Sequence, residues 1–254
     1  MNRIACASLA SALIATAGSA EAVSNDNGDV LITQAAVNAG GITPGDTAGF
    51  PVTISLPGTY RLATNLTVTT AVNGIEVQAN EVTIEMGGHT LAGSGIGRNG
   101  ITSFNRSLSV QHGTVRGFTL DGIRTIGANL SVDRMLISSN TRSGVFEDGI
   151  SGNVGFARIT NSQVTQNGTG IKCDKGCFVQ GSQIANSSNT GMYSMVNATV
   201  LDSIFAANVF PLSGYGIAAG DNYFVGNLYQ TATLLTLSPN RCDTQLCPTP
   251  ESQP

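Results

Sequence analysis

The chain of 254 residues has no Trp, few aromatic residues (6%) and few charged residues (11%). Its formal net charge is −4, and Lys and Arg are not clustered, so we expect no nucleic-acid partner, because neutralising phosphates needs a basic patch. Beyond residue 22 no run of about 18 apolar residues occurs, so no membrane span is expected. The composition also argues against disorder of the whole chain, since 41% of the residues are apolar.

The first 22 residues have the pattern of a secretion signal. Arg3 precedes an apolar stretch at residues 4–17, and an Ala-Glu-Ala sequence at 20–22 supplies the small residues that signal peptidase recognises. We therefore expect an exported protein in the periplasm, outside the cell or on the cell surface.

Four cysteines lie beyond the predicted signal. An even number in an oxidising compartment predicts two short disulfides, Cys173–Cys177 and Cys242–Cys247. Zinc is the alternative, because four thiolates can bind it, but the two pairs are far apart in sequence and export favours oxidation. We therefore assign no metal site to them.

A repeat with a period in the low twenties runs through the middle of the chain. Each unit begins with Val or Ile, has an apolar sixth residue and, in most units, a small fourth residue. The units are residues 110–118, 132–140, 159–167, 179–187 and 200–208. Each unit has too few apolar side chains to bury by itself, so the repeat predicts a solenoid in which neighbouring turns cover one another.

A second series alternates with the first and consists of a Gly followed by an apolar residue. Its members are Gly74, Gly100, Gly122, Gly144, Gly170, Gly191 and Gly216, which predict about seven coils. The apolar patches are short and rich in Val and Ile, which favours strands over helices. Because the first and sixth positions have an odd spacing, a bend at the small fourth residue is needed for both to point inward.

These repeats predict an all-β fold, a single-stranded right-handed parallel β-helix with short caps. Asn140, Asn167 and Asn208 recur just before the next Gly-led strand, where stacked amides would form a ladder. Over roughly residues 54–227 the chain resembles the pectin-lyase-like family of right-handed parallel β-helices. The resemblance implies association with polysaccharide, but no active-site motif of the family is matched.

The repeat also predicts the organisation of the chain. We expect the secretion signal at 1–22, an N-terminal cap at 23–53, the β-helix at 54–227, a C-terminal cap at 228–247 and a disordered tail at 248–254. The caps are needed because an open terminal coil would present unpaired backbone groups.

The residues two and four positions after each Gly should share one outer face, and charges concentrate in the middle of it. We predict a binding or catalytic cluster there, made of Asp121, Arg124, Glu147, Asp148, Lys172 and Asp174. Its carboxylates suit a hydrated cation such as calcium or a sugar, and a base flanked by cations suits proton abstraction. The alternative is that these charges only keep the face soluble.

Two functional hypotheses follow. The first is a secreted carbohydrate-associated β-helix that binds or modifies a polysaccharide or cell-surface polymer and, if it is an enzyme, acts as a lyase, hydrolase or epimerase. The second is a non-catalytic structural or adhesive surface protein. We assign no catalytic residue and no cofactor apart from calcium as a candidate, and we expect a monomer. A groove bounded by residues 141–158 and shared by Arg124, Asp148, Lys172 and Asp174 would favour an enzyme.

Overall fold

The computed structural model describes residues 23–148, 155–229, 234–243 and 245–246. The predicted secretion signal, Cys247 and the predicted tail lie outside these residues. The described chain is almost entirely β, with two sheets of 18 and 8 strands and one short helix. No helix among the described residues is long and apolar enough to cross a membrane.

The strands are short, and most contain two to five residues. The first thirteen are β1 (Val30–Ile32), β2 (Val52–Ile54), β3 (Gly58–Leu62), β4 (Leu66–Thr67), β5 (Ile75–Val77), β6 (Val82–Glu85), β7 (Thr90–Ala92), β8 (Ile101–Phe104), β9 (Leu108–Arg116), β10 (Ile123–Ile126), β11 (Leu130–Ser138), β12 (Ser143–Asp148) and β13 (Ala157–Thr160). The others are β14 (Gln163–Thr165), β15 (Thr169–Cys173), β16 (Cys177–Gln180), β17 (Gln183–Ala185), β18 (Thr190–Ser194), β19 (Ala198–Leu201), β20 (Ile204–Ala206), β21 (Phe210–Gly214), β22 (Ile217–Gly220), β23 (Tyr223–Val225), β24 (Leu235–Thr236), β25 (Arg241–Cys242) and β26 (Gln245–Leu246).

The strand pairing confirms the parallel β-helix, which is the fold that the resemblance to pectin-lyase-like proteins implied. The smaller sheet takes one strand from each coil, namely β2, β5, β8, β10, β12, β15, β18 and β21. The other described strands form the larger sheet, and every pairing between named strands is parallel except β25 with β26. Strands β9 and β11 each run through the bend, so they pair with two shorter strands of a neighbouring coil.

The solenoid has about eight coils, against the seven starts that the Gly-led series marks. At the N-terminal end Val52 pairs with Ile75 and begins a coil that no Gly marks. At the other end Gly216 does not belong to the Gly-led series, because Ile217 pairs with Ala198 in the larger sheet. Strand β21 takes the expected place through Leu212, which pairs with Met192 of β18.

The register within the larger sheet is the one that the nine-residue units predict. Their first residues pair in sequence from Val110 to Val200, and their sixth residues pair from Val115 to Phe205. Both columns are fully buried, so the core is a stack of Val, Ile and Phe side chains in line along the axis. Burying one side chain of this size contributes about 1.5–3 kcal/mol to the stability of the fold, compared with leaving it exposed.

The bend between the two columns is stabilised by a ladder of serines at the fourth position. The Ser162 hydroxyl accepts from the Met135 N–H at 3.1 Å. In the same way the Ser182 hydroxyl accepts from the Ser162 N–H, and the Ser203 hydroxyl accepts from the Ser182 N–H, both at 3.2 Å. The residue directly before this position has a positive φ between 49° and 58°. These residues are His112, Arg134, Asn161, Gly181, Asp202 and Asp221. The fourth residue is small in most units, as predicted, and the exception is the buried Met135, which pairs with Gly113 on the coil before.

A second ladder, made of asparagines, holds the turn before each strand of the smaller sheet. The side-chain Oδ1 of Asn167 accepts from both the backbone N–H and the side-chain amide of Asn140 at 3.0 Å, and Asn208 bonds in the same way to Oδ1 of Asn227. On the coil between them Ser187 occupies the ladder position, and its N–H donates to Asn208 at 3.0 Å. The exposed Asn189 is therefore outside the ladder.

The N-terminal edge of the smaller sheet is closed by side chains rather than by another strand. The N–H of Thr53 in β2 donates to Asp46 Oδ1 at 2.7 Å, and its carbonyl accepts from the Thr43 hydroxyl at 2.6 Å. The preceding helix α1 (Gln34–Ala39) begins after Thr33, whose side chain accepts from Ala36 N–H. These contacts satisfy backbone groups that would otherwise offer an open edge.

Replacing one ladder asparagine should destabilise the whole solenoid. Asn167→Ala removes the acceptor of two Asn140 groups and the donor to the carbonyls of Ile137 and Thr165. We expect a loss of about 2–4 kcal/mol in the free energy of unfolding, measured by urea denaturation, because buried polar groups lose their partners. The exposed control Asn189→Ala should cost less than about 0.5 kcal/mol. Equal losses in the two variants would contradict the ladder.

Candidate functional site

The outer face of the smaller sheet carries the predicted charges in register. Arg124 of β10, Phe146 of β12 and Lys172 of β15 pair on successive coils, followed by Tyr193 of β18. Because side chains alternate along each strand, all four point away from the core. The prediction that residues two and four after each Gly share one face agrees with this register.

Phe146 lies at the centre of three cations. The guanidinium carbons of Arg124 and Arg142 are each 5.3 Å from its ring centre, and Lys172 Nζ is 4.1 Å from it. Cations at this distance are attracted to the ring face. They also cover the ring, which is only 5% exposed, so Phe146 is not available as an open stacking platform for a ligand.

Four of the six predicted site residues meet on this face as two ion pairs. Arg124 bonds to Asp148 through Nη2, and Lys172 Nζ lies 3.5 Å from Asp174 Oδ1. All four side chains are partly buried, and each carboxylate faces a cation of its own coil or a neighbouring coil. The charges of this cluster therefore largely neutralise one another.

Asp121, the fifth predicted residue, is buried and part of the turn structure. Its side chain accepts from Ser143 N–H at 3.1 Å and from Arg142 Nε at 2.9 Å, while its own N–H donates to Asn99. Asp121 thus occupies an asparagine position of another turn ladder, which begins with Asn73. Its hydrogen bond and charge raise the pKa of Arg142.

Arg142 is a member of the cluster that the sequence analysis missed. It joins the buried Asp121 carboxylate to the face of Phe146. The available signal was its position two residues before Gly144, which places it at the corner beside the Asp121 turn. That signal is weak, because nothing local indicates which way so long a side chain turns.

Glu147, the sixth predicted residue, points into the solenoid and is fully buried. Burial raises the pKa of Glu147, and the nearby Asp174 and Asp148 carboxylates raise it further. The backbone N–H groups of Lys175 and Asp174 act in the opposite direction, because they donate to Oε2 at 2.8 and 3.1 Å. Its other oxygen, Oε1, has no hydrogen-bond partner among the residues that the structure describes. Glu147 therefore supports the turn at 174–175 and cannot contact a ligand on the outer face.

The predicted Cys173–Cys177 disulfide is confirmed, so these two cysteines are not zinc ligands. Both are buried, and Cys173 pairs with Glu147 in the inward column. The predicted Cys242–Cys247 bond involves a residue outside the described range and stays a prediction. No group of three or more His, Cys, Asp or Glu side chains within the described ranges is placed to bind a metal ion.

A groove of about 400 Å³ lies on the same face, on the N-terminal side of the ion pairs. It has charged, amide, hydroxyl and aromatic lining groups, and Arg124 belongs to both the groove and the cluster. The lining side chains include Asn73, Glu76, Gln78, Arg98, Thr102, Phe104 and Arg124. Asp148, Lys172 and Asp174 are not among the lining residues, and the proposed wall at 141–158 includes residues 149–154, which lie outside the described ranges.

Glu147→Gln should stabilise the protein at neutral pH. The raised pKa means that ionisation of Glu147 is less favourable in the folded chain than in the unfolded chain. The stability that protonated Glu147 contributes is therefore fully present below its ordinary pKa of about 4.3, and it is lost as the pH rises through the pKa of the folded chain. Gln keeps an acceptor for Lys175 N–H without the charge. We expect a higher urea midpoint for Glu147→Gln at pH 7, a difference that disappears near pH 4, and no such change for the exposed control Glu81→Gln. A lower midpoint at pH 7 would show that the carboxylate form is required.

No protein-family model and no curated protein matches this sequence. Among solved structures, the chain is similar to the ORF18 protein of Geobacillus virus E2, with a TM-score of 0.47 and 10% identity over 86% of this chain and 53% of the viral one. It therefore spans about half the length of that protein. It is also similar to the A-module of the Azotobacter vinelandii mannuronan C-5 epimerase AlgE4, with a TM-score of 0.39 and 11% identity over 84% of this chain and 78% of the module.

Proposed function

We propose that this protein is an exported β-helix that binds a polysaccharide or cell-surface polymer in the groove on the outer face of the smaller sheet. The observation that supports the proposal is the lining of that groove, which combines charged, amide and hydroxyl groups with one exposed aromatic ring. Its volume of about 400 Å³ lies within the range of ligand sites.

Phe104 is the aromatic group of the groove. Its side chain is 57% exposed at the end of β8, so its ring is open to solvent, unlike that of Phe146. A sugar ring has an apolar face formed by its C–H groups, and packing that face on Phe104 removes apolar surface from water. Phe104 therefore supplies the nonpolar contact that a glycan site needs.

The polar side chains around Phe104 match the hydroxyl groups of a sugar. Glu76 accepts, Arg98 donates, and the Thr102 hydroxyl, which donates to the Ile75 carbonyl at 3.4 Å, can accept. Arg98 is exposed, and its side chain makes no hydrogen bond or ion pair with another described residue, so it is free to donate to a ligand. A few convergent polar groups of this kind orient a ligand and give specificity.

Arg124 couples the groove to the ion-paired cluster. Asp148 and the Phe146 ring hold its guanidinium in place, and no described residue accepts a hydrogen bond from its buried Nε. A buried donor without a partner costs about 1–3 kcal/mol, so a ligand oxygen that reaches it would gain that amount. The cluster thus acts as a rigid support for one side of the groove.

The charge distribution favours binding over hydrolysis. Glycoside hydrolysis commonly requires two carboxylates about 5–10 Å apart across the bond. Glu76 is the single carboxylate among the groove's lining residues, and Asp148 and Asp174 face cations outside it. We therefore propose a binding role, with no catalytic residue assigned.

A structural or adhesive role is the second candidate, and the C-terminal half of the same face supports it. Met195 is 50% exposed and Tyr215 is 77% exposed beyond the last ion pair. Exposed apolar side chains on a flat sheet suit contact with an extended polymer or a protein surface. In that case the groove would not select among glycans.

Export and calcium belong to the same proposal. A buried disulfide is compatible with an oxidising compartment. The carboxylates that calcium would use, Asp148 and Asp174, each face a cation, which disfavours a second positive charge. We therefore expect chelation of calcium to change glycan binding by less than about twofold, a change below the usual effect of one hydrogen bond.

Groove variants should weaken binding to a polysaccharide array. We expect Phe104→Ala to reduce affinity about tenfold through the lost ring contact, and Arg98→Ala to reduce it about three- to tenfold through the lost hydrogen bond. The matched control Arg116→Ala replaces an exposed arginine of the larger sheet and should leave affinity unchanged. Each variant is measured with and without calcium.

Three results would contradict the proposal. One is the absence of binding to every acidic and neutral glycan on the array. Another is binding that neither groove variant weakens. The third is the release of unsaturated or shortened products during incubation, which would replace the binding role with an enzymatic one.

A further inference from the structure

A second groove, of about 460 Å³, lies on the larger sheet where β6, β9 and β11 begin. The groove lies along the corner at which the chain enters the larger sheet. It shares no lining residue with the first groove. The buried residues Val82, Leu108 and Leu130 contribute its floor, and their side chains point into the core.

Two ladders of polar side chains form the walls. On one side Thr83, Ser109 and Ser131 pair in register on three successive coils. On the other side Glu81, Ser107 and Asn129 each directly precede one of the strands. The ladder side chains therefore repeat about every 4.8 Å along the groove, the spacing of neighbouring strands.

An aromatic and cationic group ends the groove. Phe156 is 46% exposed, and a Cβ at Gly176 would lie 3.6 Å from its ring, so the ring packs against the turn that the Cys173–Cys177 disulfide closes. Arg158 continues the hydroxyl ladder from Ser131, and its guanidinium lies 4.8 Å from the ring centre of Phe178. This end of the groove is thus built on a covalently closed turn and a stacked cation.

The hydroxyl groups of the groove are available to a ligand. Within the described ranges the side chains of Thr83, Ser107, Ser109 and Ser131 make no hydrogen bond to the protein, although each can donate and accept. The groove carries one acidic residue, Glu81, and one basic residue, Arg158, so its net charge is zero. Repeated hydroxyls, an amide and one open aromatic ring fit an uncharged polyhydroxylated chain.

We propose that this groove is a second glycan site, distinct from the first, which takes a neutral oligosaccharide lying across the coils. The hydroxyl ladders bond to successive sugar residues, and Phe156 stacks against the terminal one. The site does not depend on the outer-face groove, because it uses another sheet and other residues. Two separate sites on one rigid solenoid would raise the avidity for a polymer that reaches both.

The test is titration calorimetry of the mature protein with cellohexaose, maltohexaose, mannohexaose and xylohexaose. We expect at least one to bind, and the double variant Ser109→Ala with Ser131→Ala to weaken it by roughly three- to tenfold for each hydroxyl. Phe156→Ala should weaken it roughly tenfold. The matched control Thr199→Ala lies in the same outward column beyond Phe178 and should have no effect.

The outcomes separate this site from the first groove. Binding weakened by the Ser109 and Phe156 variants but not by Phe104→Ala supports the second site, even if the first groove binds nothing. Binding weakened only by Phe104→Ala or Arg98→Ala overturns the second site and leaves the first. No binding of any of the four hexasaccharides at millimolar concentration also overturns it. Circular dichroism of each variant verifies that the fold is unchanged.

Discussion

Hydrogen bonds that buried side chains accept from the neighbouring coil are the constraint on which the rest of this molecule depends. Serines at the bend and asparagines at the turn each accept from the coil before, so every coil is fixed in register with its neighbour. A slip by one residue would move every outward side chain to the core. The outward columns that form the ion pairs and both grooves exist only because these ladders hold.

The sequence predicts the parts of the fold that depend on local pattern. The Val and Ile positions of each unit, the small bend residue and the asparagine turns were all recognisable because they recur at a fixed spacing. The Gly-led series misses two coils, because β2 has no Gly before it and Pro211 replaces Gly in β21, and it includes one false start at Gly216. In those coils the neighbouring strand, rather than a sequence signal, determines the pairing.

The candidate site was predictable only in part. Simple alternation from Phe146 places Asp148 outside and Glu147 inside, so the burial of Glu147 was available from the sequence. Asp121 stands directly before a Gly, as Asn73 and Asn99 do, which marks it as a ladder residue. The position of Arg142 depends on its contact with Asp121, 21 positions earlier in the chain. The two grooves likewise depend on turn shapes and side-chain directions of separate coils, and a local pattern does not contain them.

Because the ion pairs neutralise the central cluster, the proposed glycan binding on this face depends on the groove beside it. The most direct test is hydrogen–deuterium exchange of the protein with and without the glycan that binds most tightly on an array. Protection of turns and strand ends at residues 73–78, 98–106 and 124–127 is the result we predict. Protection confined to the Met195 and Tyr215 region, or none on the smaller sheet, would contradict the account.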